Sequence, residues 1–93
     1  MKENEITIVK TTETDLGWEC EVNVDGRDYI VSMSHDYYFK LTSGQITPAE
    51  LVERSFEFLL SREPVENILT EFDLNVIPTY FPEYEDLIMD AAL

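Results

Sequence analysis

The stretch WECEVNVDGRDYIVSM, residues 18–33, decides the fold. Two runs of alternating character flank Asp25-Gly26, and Asp-Gly in that position is the strongest short-range signal for a two-residue hairpin turn. Such a turn sets Val24 opposite Arg27, Val22 opposite Tyr29, Cys20 opposite Val31 and Trp18 opposite Met33. Three of those four pairs are apolar on both sides. The other face pairs Asn23 with Asp28, Glu21 with Ile30 and Glu19 with Ser32, which is largely polar. Side chains alternate with period two, so a one-residue slip would mix the two faces, and the register is specified.

Working outward, the β-branched run at 5–11 supplies a third strand, beside strands at 18–24 and 27–34. Downstream, the segment from His35 to Leu41 reads two ways. Its odd positions continue the strand alternation, whereas Ser34 or Asp36 can cap a short helix over 36–42 that Ser43-Gly44 would end. The helical reading is the one adopted. Thr47-Pro48-Ala49-Glu50 is a capping signature and opens a helix over 48–62 that stops before Pro64. Its apolar arc (Leu51, Val52, Phe56, Phe58, Leu59, Leu60) spans about half the circumference, so cover on two sides is expected. Ser55, inside that arc, leaves room for a close neighbour. Val65, Ile68, Leu69 and Phe72 fall on one stripe and predict a helix over 64–72. Short helices over 75–81 and 83–91 follow, the last with Glu83, Glu85 and Asp86 near its positive end. The expectation is one α+β domain over 1–93, a three-stranded antiparallel sheet (β-β-β) followed by three to four helices packed on one face.

The 93 residues carry 20 carboxylates against six Lys and Arg, a formal charge of −14, yet 44% are hydrophobic and 11 (five Tyr, five Phe, one Trp) are aromatic. Acidic chains poor in apolar residues stay disordered; this one can bury a core beneath a negative surface. Residues 1–44 hold nine acids against four bases, net −5, and residues 45–93 hold eleven against two, net −9. That field repels phosphate backbones and anionic lipid surfaces, which excludes direct nucleic-acid or membrane partners. A lone cysteine, Cys20, forms no internal disulfide and suits a reducing compartment. There is no apolar run near the roughly 20 residues a membrane span needs, nor a signal-peptide pattern, so the cytoplasm is expected.

Candidate chemistry is sparse. Cys20 and His35, the only thiol and imidazole, would form a nucleophilic pair only within hydrogen-bond reach. The hairpin register separates them along the strand, so Cys20 reads as a small core residue and His35 as a surface residue beside Asp36. Carboxylates cluster at Glu19/Glu21, Glu50/Glu53/Glu57 and Glu83/Glu85/Asp86. General acid–base work needs a cleft that separates two pKa values, and these lie on solvated faces. No calcium loop, zinc spacing, glycine-rich phosphate loop or Gly-x-Ser-x-Gly elbow occurs, so neither catalytic residues nor cofactor nor metal is expected. Two surfaces remain. On the polar sheet face, Val9 and Ile30 form an apolar patch ringed by Glu19 and Glu21. Within PTYFPEYE, residues 78–85, Tyr80, Tyr84 and Glu85 could anchor a partner, although Tyr80, Phe81 and Tyr84 also suit the core.

The segments TSGQITPAELVERSFEFLLSREP and ILTEFDLNVIPTYFPEY, between Thr42 and Tyr84, resemble a family of small uncharacterised prokaryotic proteins. These motifs consist of caps, core residues and turns, so the resemblance implies a shared fold and carries no activity. A hairpin followed by a helix is also similar to small antitoxin domains of the HicB type, whose glycine- and proline-containing strand motif is missing here. The functional expectation is a non-enzymatic acidic domain that binds a basic protein partner, as an antitoxin or inhibitor would. The alternatives are a structural homo-oligomer and a small carboxylate-based enzyme or ligand-binding domain.

Overall fold

A computed structural model describes residues 4–92, with the side chains of the last helix described through Asp90. The chain is α+β. Strands β1 (Ile6–Glu13), β2 (Gly17–Val24) and β3 (Arg27–Ser34) are followed by helices α1 (His35–Thr42) and α2 (Pro48–Arg62). A 3-10 turn (Val65–Asn67), strand β4 (Glu71–Asp73), a second 3-10 turn (Leu74–Val76), α3 (Ile77–Tyr80) and α4 (Tyr84–Ala92) complete it.

The hairpin forms in the expected register, Val24 opposite Arg27 through Trp18 opposite Met33. Asp25 and Gly26 both take positive φ, 52° and 90°, the geometry that makes Asp-Gly the favoured pair for such a turn. Cys20, Val22, Val24, Tyr29, Val31 and Met33 are buried beneath the helices, and Glu19, Glu21 and Asp28 point the other way into solvent. β1 departs from simple alternation. Ile8 pairs with Val22 and Lys10 with Glu21, so Val9 is the extra residue of a β-bulge. The bulge switches parity: Ile6 and Ile8 lean on the core before it, and Thr11 lies across from Cys20 after it, its Oγ1 3.6 Å from the thiol Sγ.

Two expectations are corrected. The sheet has four strands, ordered β1-β2-β3-β4, with β4 parallel to β3 where three were expected, all antiparallel. The helix expected over 64–72 does not form. Pro64 is extended, the 3-10 turn is brief, and the chain then straightens to pair Phe72 with Val31 and to give the Ile30 N–H a carbonyl at Thr70, 2.8 Å away. A stripe at helical spacing and a three-residue strand are not distinguishable by period alone, and the unsatisfied edge of β3 settled the outcome.

The helices cap and stop as their sequences specify. The Ser34 hydroxyl accepts from the Tyr37 N–H, and Ser43 ends α1 in the left-handed region. Both halves of the capping box at α2 are present, Thr47 with Glu50. α2 is covered on two sides. Ser55 Oγ donates to the Leu51 carbonyl at 2.8 Å and meets the Tyr84 hydroxyl of α4 at 2.7 Å, so its small side chain does admit a close neighbour.

Candidate interaction surface

Among the described residues, no helix covers the second face of the sheet. Thr7, Val9, Lys10 and Thr12 from β1, Glu19 and Glu21 from β2, Asp28 from β3 and Glu71 from β4 are exposed on it. Ile30, Ser32 and Asp73 are half-buried beside them. Strand pairing brings Glu21 between Lys10 and Ile30, and Ile30 between Glu21 and Glu71. Among the described residues, five carboxylates thus share a face with one ammonium, Lys10. Val9, at the bulge, is 59% exposed. The patch expected from Val9, Ile30, Glu19 and Glu21 is therefore assembled on one surface. The sequence reading missed Glu71 and Asp73, because β4 was unforeseen. The alternation in Thr70-Glu71-Phe72-Asp73, followed by Asp73 capping the Asn75 N–H at 2.9 Å, was the available signal.

The other group does not hold together. Tyr84 has no exposed surface and is corrected from surface to core; it stacks edge-on against Phe58 at 5.3 Å. Glu85, on the α1/α4 side, accepts from the Tyr37 hydroxyl at 2.8 Å and pairs with Lys40 at 3.2 Å. The Tyr37 donor, with Lys40 beyond it, holds the Glu85 carboxyl below its ordinary range, and burial together with that carboxylate pushes the Tyr37 phenol up. Tyr80 alone of the three is well exposed, at 69%.

Tyr80 lies on an apolar trough of about 420 Å³ between the end of α2, the β4 crossover and α3, floored by Leu59, Ile68, Phe72 and Ile77. A second hollow of about 510 Å³ runs between α2 and α4, with Glu50, Glu53 and Glu57 around Arg54, Phe58, Leu87 and Ile88. Neither is lined by Tyr37, Tyr38 or His35. His35 Nε2 is 3.3 Å from Glu13 and its ring meets Trp18 edge-on at 4.7 Å. Cys20 is fully buried against Thr11, and burial pushes its thiol pKa up, the opposite of an activated nucleophile. Among the described residues, no three His, Cys, Asp or Glu side chains are placed to hold a metal ion, and no helix is long and apolar enough to cross a membrane. Comparison with known protein families, with curated proteins and with solved structures gives no match.

Proposed function

We propose that this chain is an acidic protein-interaction domain whose uncovered sheet face receives a basic protein partner. One observation carries the reading: a four-stranded sheet with one face roofed by helices and the other left open, bearing Glu19, Glu21, Asp28, Glu71 and Asp73 against a single lysine among the described residues. Opposite charges attract over roughly a Debye length and raise the encounter rate, and an apolar centre then gives docking a place to bury surface. Val9 and Ile30, on strands either side of Glu21, offer that surface. Strands hold these side chains on a fixed lattice, so the charges are presented without the entropy cost of ordering a loop. The antitoxin or inhibitor role is the specific form of the reading, since a negative sheet can occupy a groove that another protein uses for phosphate backbones.

The test compares the chain with a variant carrying Glu19→Gln, Glu21→Gln and Glu71→Gln. Each is immobilised and exposed to native lysate, and retained proteins are identified by mass spectrometry. A basic protein held by the parent at low ionic strength, released near about 0.5 M salt and not held by the variant supports the reading. Equal retention by both, or no retained protein at low salt, overturns it.

A further inference from the structure

We propose that the trough beside α3 is a second docking site, one that takes a cationic amphipathic helix of a partner protein. The inference goes beyond the sheet-face reading and stands without it.

Four floor residues (Leu59, Ile68, Phe72, Ile77) are buried, and Val76 and Phe81 are half-buried beside them. Two large side chains lining the same trough stay in solvent, Leu69 at 56% exposure and Tyr80 at 69%. Both belong to apolar stripes that by sequence pattern should have gone inward. They stay out because the segment after Pro64 forms a brief 3-10 turn and then β4, so no helix fills the space between α2 and α3. The result is contiguous apolar surface with exposed lips, unlike the isolated exposure of Leu16.

Charge identifies the occupant. Among the described residues, Glu63 is the only ionisable side chain on the lining apart from the Tyr80 phenol, and Asn67 is its one neutral amide. No lysine or arginine among the described residues lines the trough. The nearest arginine in sequence, Arg62, is committed elsewhere: its Nε donates to Glu83 at 3.0 Å and its guanidinium lies over the Phe58 ring at 4.6 Å. The Glu63 carboxylate has no ion-pair partner among the described residues. An occupant with apolar side chains and a flanking Lys or Arg meets both features, whereas an acidic one would be repelled by Glu63 and by the −14 charge of the whole chain. The same charge argues against a second copy of this protein. The lining is mostly apolar side chain, so an extended peptide would bring unpaired N–H and C=O groups against it; a helix satisfies its own. The trough is open along its lips, which suits a helix laid in it better than a small molecule that needs enclosure.

The test uses three synthetic helical peptides of equal length. One carries Leu at helical spacing on one face and Lys on the other, one replaces Leu by Ser, and one replaces Lys by Glu. Binding is measured by calorimetry and mapped by amide chemical shifts. The Leu/Lys peptide should bind tightest and shift residues around Leu69, Asn67 and Tyr80. Leu69→Gln with Tyr80→Gln, both at exposed positions, should weaken it by about tenfold or more. Glu63→Gln should weaken it less and reduce its salt dependence. Equal affinity of the Leu/Lys and Ser/Lys peptides, shifts confined to the sheet face, or an unchanged affinity in the Leu69/Tyr80 variant overturns the proposal. The two sites fail separately, because the Glu19/Glu21/Glu71 variant leaves the trough intact.

Discussion

Replacing Ser55 by Ala should destabilise this protein more than replacing Tyr84 by Phe, although the two side chains share one hydrogen bond. Both residues are fully buried, with the hydroxyls 2.7 Å apart. Ser55 has a second partner, the Leu51 carbonyl at 2.8 Å; Tyr84 has none beyond Ser55 among the described residues. Tyr84→Phe therefore removes one net hydrogen bond, about 1 kcal/mol, and leaves the serine donating to its own helix. Ser55→Ala leaves a phenol oxygen in the core with no partner, which costs about 2 kcal/mol. The double variant removes both polar groups and should cost only about 1 kcal/mol, against ~3 if the two were independent. Burial pushes the Tyr84 phenol up, so it stays neutral and the ordering should hold from about pH 6 to 9. Urea unfolding followed by Trp18 fluorescence and far-UV circular dichroism measures all three variants. A Ser55→Ala loss no larger than that of Tyr84→Phe, or strict additivity, would refute the reasoning.

Gly17→Ala should cost about 3 kcal/mol, because a Cβ there would sit 1.9 Å from the Met33 carbonyl oxygen and push β3 away from β2; thermal unfolding reads this directly. Glu85, held acidic first by the Tyr37 hydroxyl and then by Lys40, adds stability that is complete above the ordinary glutamate pKa and is lost as pH falls through its lower folded value. In Tyr37→Phe, carboxyl carbon shifts should show Glu85 titrating closer to an ordinary glutamate. Cys20 should react with a thiol reagent only as fast as the domain opens, so stabilising salt slows labelling; rapid labelling of folded protein would contradict its burial. Added salt should raise the melting temperature, since it screens the self-repulsion of a chain with a net charge of −14, while weakening any basic partner.

The hairpin and α2 were legible because independent local signals agree there. Asp25-Gly26 demanded the positive φ that both residues adopt, and the alternation on either side admitted one register. Thr47, Pro48 and Glu50 each mark the same helix start. The bulge at Val9 was not legible, since an extra residue in a run of β-branched side chains leaves no local trace. It nonetheless decides that Lys10 rather than Val9 sits opposite Glu21, and that Thr11 rather than Lys10 lies across from Cys20. Tyr84 was weighed both ways for lack of its partner: a buried phenol needs a buried acceptor, and only the tertiary packing of α4 on α2 supplies Ser55.

The misread segment is also the segment that shapes both candidate surfaces, and one cause underlies the two. Residues 64–72 have an apolar stripe fit for a helix, but β3 offers an unpaired edge at Ile30 to Ser32, and three residues of parallel pairing satisfy it. Taking that edge costs the chain the helix it could have formed. On the open side of the sheet, the exchange adds Glu71 and Asp73 to a face that already carried Glu19, Glu21 and Asp28. On the other side, it buries Ile68 and Phe72 but leaves Leu69 and Tyr80 largely exposed. A helix over 64–72 would have buried the stripe and removed the trough, and would also have left the sheet less acidic. Local preference and tertiary demand disagree at this one crossover, and conflicts of that kind concentrate where a fold presents surface to a partner.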